Sequence, residues 1–181
     1  ENFELMGFLN QFWEQPGLKR SLDKIFEIVI YSLFEVITTA MKVKIDIYYD
    51  SEAKGILSEF SEFAEKVLNL NAENNRKTLD AHFHRVGVTN AADRGLDMYA
   101  NFGSVVQIKH LSLDEDLAKD VVTSITSNKI IIVCKSVEEN IINSLLTQIG
   151  WRSRIQAVIT VDELISWYEK ALTGTFSDEL G

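Results

Sequence analysis

The sequence has a single cysteine, a single proline and no apolar run long enough to cross a bilayer. Cys134 lies inside Ile130-Ile131-Ile132-Val133-Cys134 and has no partner for a disulfide framework. It reads as a small buried hydrophobe in a reducing, cytoplasmic compartment. With no stretch of about 18 apolar residues, a membrane span is not expected. A basic-then-apolar leader is also missing, so nothing signals secretion. The chain opens at Glu1 instead of Met, which suits the C-terminal portion of a longer protein. No internal repeat is found. What is present, 181 residues with 46% hydrophobic content, fits one domain over 1–181 with a sizeable core.

The formal net charge of -9 excludes a protein that coats nucleic acid non-specifically. The acids are unevenly spread, however. Between Ala81 and Leu113 there is no glutamate, and Asp93 and Asp97 face three cations, Arg85, Arg94 and Lys109. All three histidines, His82, His84 and His110, fall there too. An acidic body with one non-acidic face can still approach a polyanion, with local and salt-sensitive steering.

Hydropathy patterning predicts a helix from Ser21 to Met41, apolar nearly all round and so buried on several sides. A strand is expected over Val43–Tyr49, a helix over 56–70, and a polar surface loop over Asn69–Asp80. Short strands follow near Phe83–Val88, Gly95–Ala100 and Ser104–Leu111, then a helix over Asp114–Ser127. The apolar run Ile130–Cys134 reads as a buried strand. A helix over Val137–Ile149, a strand over Ile155–Thr160 and a helix over Asp162–Leu172 complete the chain. Helices alternating with strands in the second half call for parallel pairing after an antiparallel hairpin. The expected class is α/β, a mixed central sheet flanked by helices on both faces.

Chemistry concentrates in the hairpin Leu96-Asp97-Met98-Tyr99-Ala100-Asn101-Phe102-Gly103-Ser104-Val105-Val106-Gln107-Ile108-Lys109. If the turn centres on Phe102, cross-strand partners have numbers summing to 204, which sets Asp97 opposite Gln107. Residues two apart on a strand share a face, so Gln107 and Lys109 point the same way. Phosphodiester hydrolysis needs an activated water and relief of negative charge, and Mg²⁺ with hard oxygen ligands supplies both. Asp97, the Gln107 amide oxygen and the Ile108 carbonyl are the expected ligands, and Mn²⁺ is expected to substitute. Lys109 is a compact cation for the attacking water or the phosphate. Glu27, on an apolar helix face, requires a cationic partner. Metal or Lys109 is one option; an ion pair with Lys24 or Arg20 is the other.

The order helix with Glu, strand with Asp, hairpin, strand ending in Gln-x-Lys, helix, apolar strand resembles the PD-(D/E)xK nuclease superfamily. The Gln variant is similar to that of Mrr-type restriction enzymes. Longer runs narrow the resemblance. They include Pro16-Gly17-Leu18-Lys19-Arg20-Ser21, His84 through Met98, Lys109-His110-Leu111-Ser112-Leu113-Asp114-Glu115, Leu146 through Trp151, and Ile165 through Leu172. These are similar to the catalytic C-terminal part of HaeII-type Type II restriction endonucleases, from about Phe8 to Leu172, with a poor match only over about Val43–Lys77. The resemblance implies a restriction-endonuclease-like fold and Mg²⁺-dependent, site-specific cleavage of double-stranded DNA within a restriction-modification system. It implies Asp97 and Gln107 as metal ligands, Lys109 as the catalytic lysine and Glu27 as the helix acid that completes the site. A palindromic target would imply a homodimer.

Arg85, Asn90 and Arg94 flank the approach to the first catalytic strand and have the side chains suited to reading guanine and adenine edges. Turn chemistry for Asn90 and ion pairing for the arginines are the alternatives. Arg152 and Arg154, in Trp151-Arg152-Ser153-Arg154, are candidates for phosphate contact. Phe3, Phe8, Phe12 and Trp13 suggest an amphipathic opening segment. A catalytically silent, DNA-binding or dimerising nuclease-like module is the competing function, and a structure-specific repair nuclease is a third.

Overall fold

A computed structural model describes residues 4, 7–8, 19–86, 96–109, 112–127, 129–137 and 154–180, with side chains from residue 24 onward in the first helix. That helix, α1 (Lys19–Ala40), buries Phe26, Ile30, Leu33 and Phe34. Strand β1 (Lys44–Tyr48) pairs antiparallel with β2 (Arg76–Asp80), from Lys44↔Asp80 to Tyr48↔Arg76. Between them run a 3₁₀ turn, α2 (Lys54–Glu59), α3 (Ser61–Phe63) and a π-turn over Ala64–Leu68.

The central sheet has the order β3 (Phe83–Arg85), β4 (Met98–Ala100), β5 (Val105–Ile108), β6 (Ile130–Cys134), β7 (Ile155–Thr160). The first three strands are antiparallel, and β5, β6 and β7 are parallel. The crossover into β6 carries α4 (Glu115–Ser124), and α5 (Val161–Thr173) and α6 (Ser177–Leu180) close the chain. Two cores lie on opposite sides of the sheet. Phe26, Ile30, Met98, Val106, Val133 and Leu164 pack between sheet, α1 and α5. Ile130, Ile132 and Cys134 pack against Ala118, Val121 and Ile125 of the α4 region. Alternate residues of β6 serve the two faces, which is why all five are apolar and buried. The mixed sheet with helices on both faces is therefore as expected.

Local chemistry sets the helix ends. The Asp114 carboxylate accepts from Leu117 N–H at 2.8 Å, so the residue read as the start of α4 is its cap. Thr160 and Glu163 form a reciprocal capping box at the head of α5. Tyr168 donates to the Val29 carbonyl at 2.8 Å and ties α5 to α1.

The stretch read as a polar loop, Asn69–Asp80, differs: its second half is strand β2. The strand is held by polar cross-strand pairs. Arg76 and Thr78 both bond Asp46, at 2.5 and 2.7 Å, and Lys44 bonds Asp80. The helix expected over 56–70 is broken at Phe60 and ends in the π-turn. The helix expected over Val137–Ile149 lies outside the described residues, Val137 excepted.

Candidate active site

Strands β4 and β5 part company at one end, and the candidate site lies in the gap. Their register runs Tyr99↔Val105 and Met98↔Val106, the sum of 204 expected from a turn centred on Phe102. The next pair would be Asp97 and Gln107. Beyond Met98 the ladder distorts, and Asp97 N–H reaches the Val106 carbonyl at 3.3 Å. Residues 105 and 109 of the β5 segment donate to Lys129 and Val133, on the β6 side. By alternation, Ile108 turns its N–H and its carbonyl toward β4, where no strand residue remains in register.

Asp97 fills that vacancy in the ladder with its side chain. Its Oδ2 accepts from Ile108 N–H at 2.7 Å and from Gln107 Nε2 at 2.9 Å. Among the described residues no hydrogen bond falls on Oδ1. Because a strand N–H lies in the sheet plane, the bond from Ile108 holds the carboxylate at the strand junction, where the Gln107 side chain also reaches it. Burial pushes the Asp97 carboxyl up to about 6. The Ile108 N–H opposes that rise, the Glu27 carboxylate adds to it, and Lys109 and Lys24 oppose it. Asp97 thus shares one electrostatic environment with Glu27, Lys109 and Lys24. Gln107 is buried, and Lys109 is half-buried at the end of β5.

Glu27 is buried on α1 with a cation on each oxygen. Lys24 Nζ lies 2.5 Å from Oε2, and Arg85 Nε lies 3.0 Å from Oε1. Of the alternatives left open for this acid, the Lys24 pair is present, one helical turn away. Arg85 joins from β3, adjacent to Met98. Lys24 is the group near the site that sequence reasoning treated only as a partner for Glu27, and its i, i+3 spacing was the available signal.

Not all expected residues converge here. Arg154 turns inward: Nε and Nη1 donate to the carbonyls of Ser127 and Val122 at 3.0 and 2.6 Å, and Nη2 bonds the Ile125 carbonyl. It closes the carboxyl end of α4, where orphan carbonyls and the helix dipole favour a cation. Its guanidinium is occupied there in the free protein. Asn90, Arg94, Arg152 and His110 lie outside the described residues. His82 bonds Glu35 at 2.6 Å and helps dock α1 on β3, while His84 stacks on Tyr99.

The donor set tests what could bind. Among the described residues no group of three or more His, Cys, Asp or Glu side chains could hold a metal. Asp97 meets Gln107 through the amide nitrogen and Ile108 through its N–H, and the oxygens available beside it are those of its own carboxylate, of the Gln107 amide and of the Ile108 peptide. That set fits a hard, hydrated cation such as Mg²⁺ or Mn²⁺, which keeps several waters, and does not fit zinc. No helix of the described residues is long and apolar enough to cross a membrane.

Comparison with known proteins gives a consistent result. The family described as HaeII restriction endonuclease matches over residues 1–181. Type II restriction enzyme NgoBI of Neisseria gonorrhoeae is 54% identical over 175 residues, covering 97% of this chain and 50% of that protein. Type II restriction enzyme HaeII of Haemophilus aegyptius is 54% identical over 174 residues, covering 96% and 49%. The chain therefore spans about half the length of the curated relatives it matches. No solved structure matches.

Proposed function

Because the chain belongs to the HaeII restriction endonuclease family, we propose that it carries the catalytic centre of a Type II site-specific DNA endonuclease. In this reading it serves a cytoplasmic restriction-modification system and hydrolyses DNA phosphodiesters with Mg²⁺, for which Mn²⁺ substitutes. The observation that carries it is the Asp97 carboxylate facing Gln107 across a strand gap, with Lys109 in the same electrostatic environment.

Asp97, the Ile108 carbonyl and Gln107, with its amide turned to present oxygen in place of the Nε2 that bonds Asp97, would hold the cation. When bound, it supplies Lewis acidity toward the scissile phosphate and lowers the pKa of water. Lys109 orients the attacking water and offsets charge on the phosphate oxygens. Glu27 is a positioning residue: it fixes Lys24 and Arg85 beside the site and keeps their charge from collapsing onto Asp97. Arg85 spends Nε on Glu27, which leaves its outer nitrogens to contact DNA in this reading. Arg94, Asn90 and Arg152 complete the DNA contacts, and a palindromic target makes the working form a homodimer.

Plasmid cleavage in Mg²⁺ or Mn²⁺ tests the reading. Asp97→Ala and Lys109→Ala are each expected to lower the cutting rate by about 10²-fold or more. Undiminished cleavage in either variant removes the assignment. DNA binding without cutting in either metal favours instead a silent nuclease-like module, a reading that the neutral Gln107 in place of a second acid makes specific.

A further inference from the structure

The two faces of the central sheet are covered unequally. On the α1 side all five strands contribute to the core, among them Phe83 of β3 and Met98 and Ala100 of β4. On the other side α4 packs over β5, β6 and β7, against Val105, Ile130, Ile132 and Val158. Neither β3 nor β4 contributes to that second core. Strand alternation places His84 and Tyr99 there, since Phe83, Met98 and Ala100 turn toward α1. Both are exposed, Tyr99 by 44%.

The pair is ordered without being buried. His84 and Tyr99 are register partners, and their rings stack with centroids 5.1 Å apart. A cross-strand contact of this kind holds each ring against its neighbour. Among the described residues the Tyr99 hydroxyl has no hydrogen-bond partner. The stack is also continuous with the candidate site. Tyr99 and Asp97 lie two residues apart, roughly 6.8 Å along an antiparallel strand. Gln107 shares a face with Val105, the register partner of Tyr99, and it reaches Asp97 from that side. Because α4 stands over β5 and β6, the open flank of the site on this face is β4 and then β3. Acids there are few: Glu35 is engaged by His82 and by the Phe83 N–H, at 2.6 and 2.8 Å. An aromatic body with a hydroxyl tip suits the sugar and phosphate of a DNA backbone, to which tyrosine commonly donates.

We propose that the Tyr99 hydroxyl donates to a DNA phosphate flanking the scissile one, and that His84 is the positioning residue holding its ring. The inference rests on the proposed function and extends the DNA track from Asp97 across β4 toward β3.

Fluorescence anisotropy on double-stranded DNA in Ca²⁺ tests it. Tyr99→Phe keeps the ring and its stack while removing the hydroxyl. The variant is expected to unfold in urea like the wild type and to bind DNA about tenfold more weakly. A duplex series with one neutral methylphosphonate at successive positions locates the partner phosphate. One position is expected to weaken the wild type about tenfold and to leave Tyr99→Phe unaffected. His84→Ala is expected to weaken the wild type about threefold and to add nothing in the Tyr99→Phe background. Wild-type affinity in Tyr99→Phe, or a methylphosphonate profile identical to that of the wild type, overturns the proposal. Asp97→Asn separates it from the reading it rests on. Weaker binding of that variant in Ca²⁺ beside an unaltered Tyr99→Phe removes this contact alone; the converse keeps the contact and removes the metal centre.

Discussion

A carboxylate held at a strand junction costs stability as long as no cation sits beside it, and Asp97 makes that cost measurable. Its carboxyl is pushed up to about 6, mainly by burial. Between the ordinary carboxylate range and that value, the folded protein keeps a proton that the unfolded chain has already released. Stability of the metal-free protein therefore falls as pH rises through this window and stays lowered above it. Asp97→Asn removes the charge, so the variant is expected to match the wild type near pH 4 and to exceed it above pH 6 by about 1–3 kcal/mol. Thermal melts in EDTA across this range check the sign; an Asn variant less stable at pH 8 than the wild type contradicts it. Added Mg²⁺ is expected to stabilise only the wild type, because Asp97 is the one ionised oxygen donor in the proposed ligand set. The Asp97–Gln107 facing was legible in the sequence because a tight hairpin is local and its turn fixes the register. The partners of Glu27 were less so. Lys24 is a helical neighbour, but Arg85 arrives from β3 by a tertiary path that no spacing encodes.

Among the elements, α4 and β2 show two ways in which pattern and structure diverge. The carboxyl end of α4 is closed by Arg154, a residue whose Trp-Arg-Ser-Arg setting suggested phosphate contact. A cation near hydroxyl donors reads as an anion site, and only the folded chain brings the orphan carbonyls of a distant helix within its reach. Arg154→Met keeps the aliphatic stem but removes all three bonds. It is expected to lower stability by about 2–3 kcal/mol and to leave the salt dependence of DNA binding unchanged. Urea unfolding and anisotropy titrations at several salt concentrations separate these outcomes; a shallower salt slope with unaltered unfolding would return Arg154 to the DNA interface. Strand β2 escaped notice for a related reason. Its stabilising contacts are ion pairs and a threonine hydroxyl on Asp46, so the alternation of apolar and polar residues that betrays most strands is faint. The apolar strands β5 and β6 and the capped helix α5, where pattern and packing agree, lie close to where the sequence predicts them.

For the molecule as a whole, the decisive quantity is where its charge lies. A protein of net charge -9 repels DNA at long range, and the candidate site is only weakly cationic, with Lys24, Arg85 and Lys109 set against Glu27 and Asp97. Within a Debye length the two carboxylates blunt what the three cations offer a phosphate. A divalent cation beside Asp97 would strengthen that weak balance, adding two positive charges where, in the proposed function, the scissile group approaches. DNA affinity is therefore expected to depend on metal before any bond is cut. Calcium, a hard cation that suits oxygen ligands, allows the measurement without assuming turnover. Fluorescence anisotropy at pH 7.5 is expected to show binding at least about tenfold tighter in Ca²⁺ than in EDTA, a coupling of about 1.4 kcal/mol. In EDTA, Asp97→Asn is expected to bind DNA more tightly than the wild type, because the repelling charge is gone. In Ca²⁺ the order is expected to reverse, because the cation loses its one ionised ligand at the strand junction. Equal affinities in Ca²⁺ and EDTA for the wild type would mean that the DNA does not meet the Asp97 gap at all.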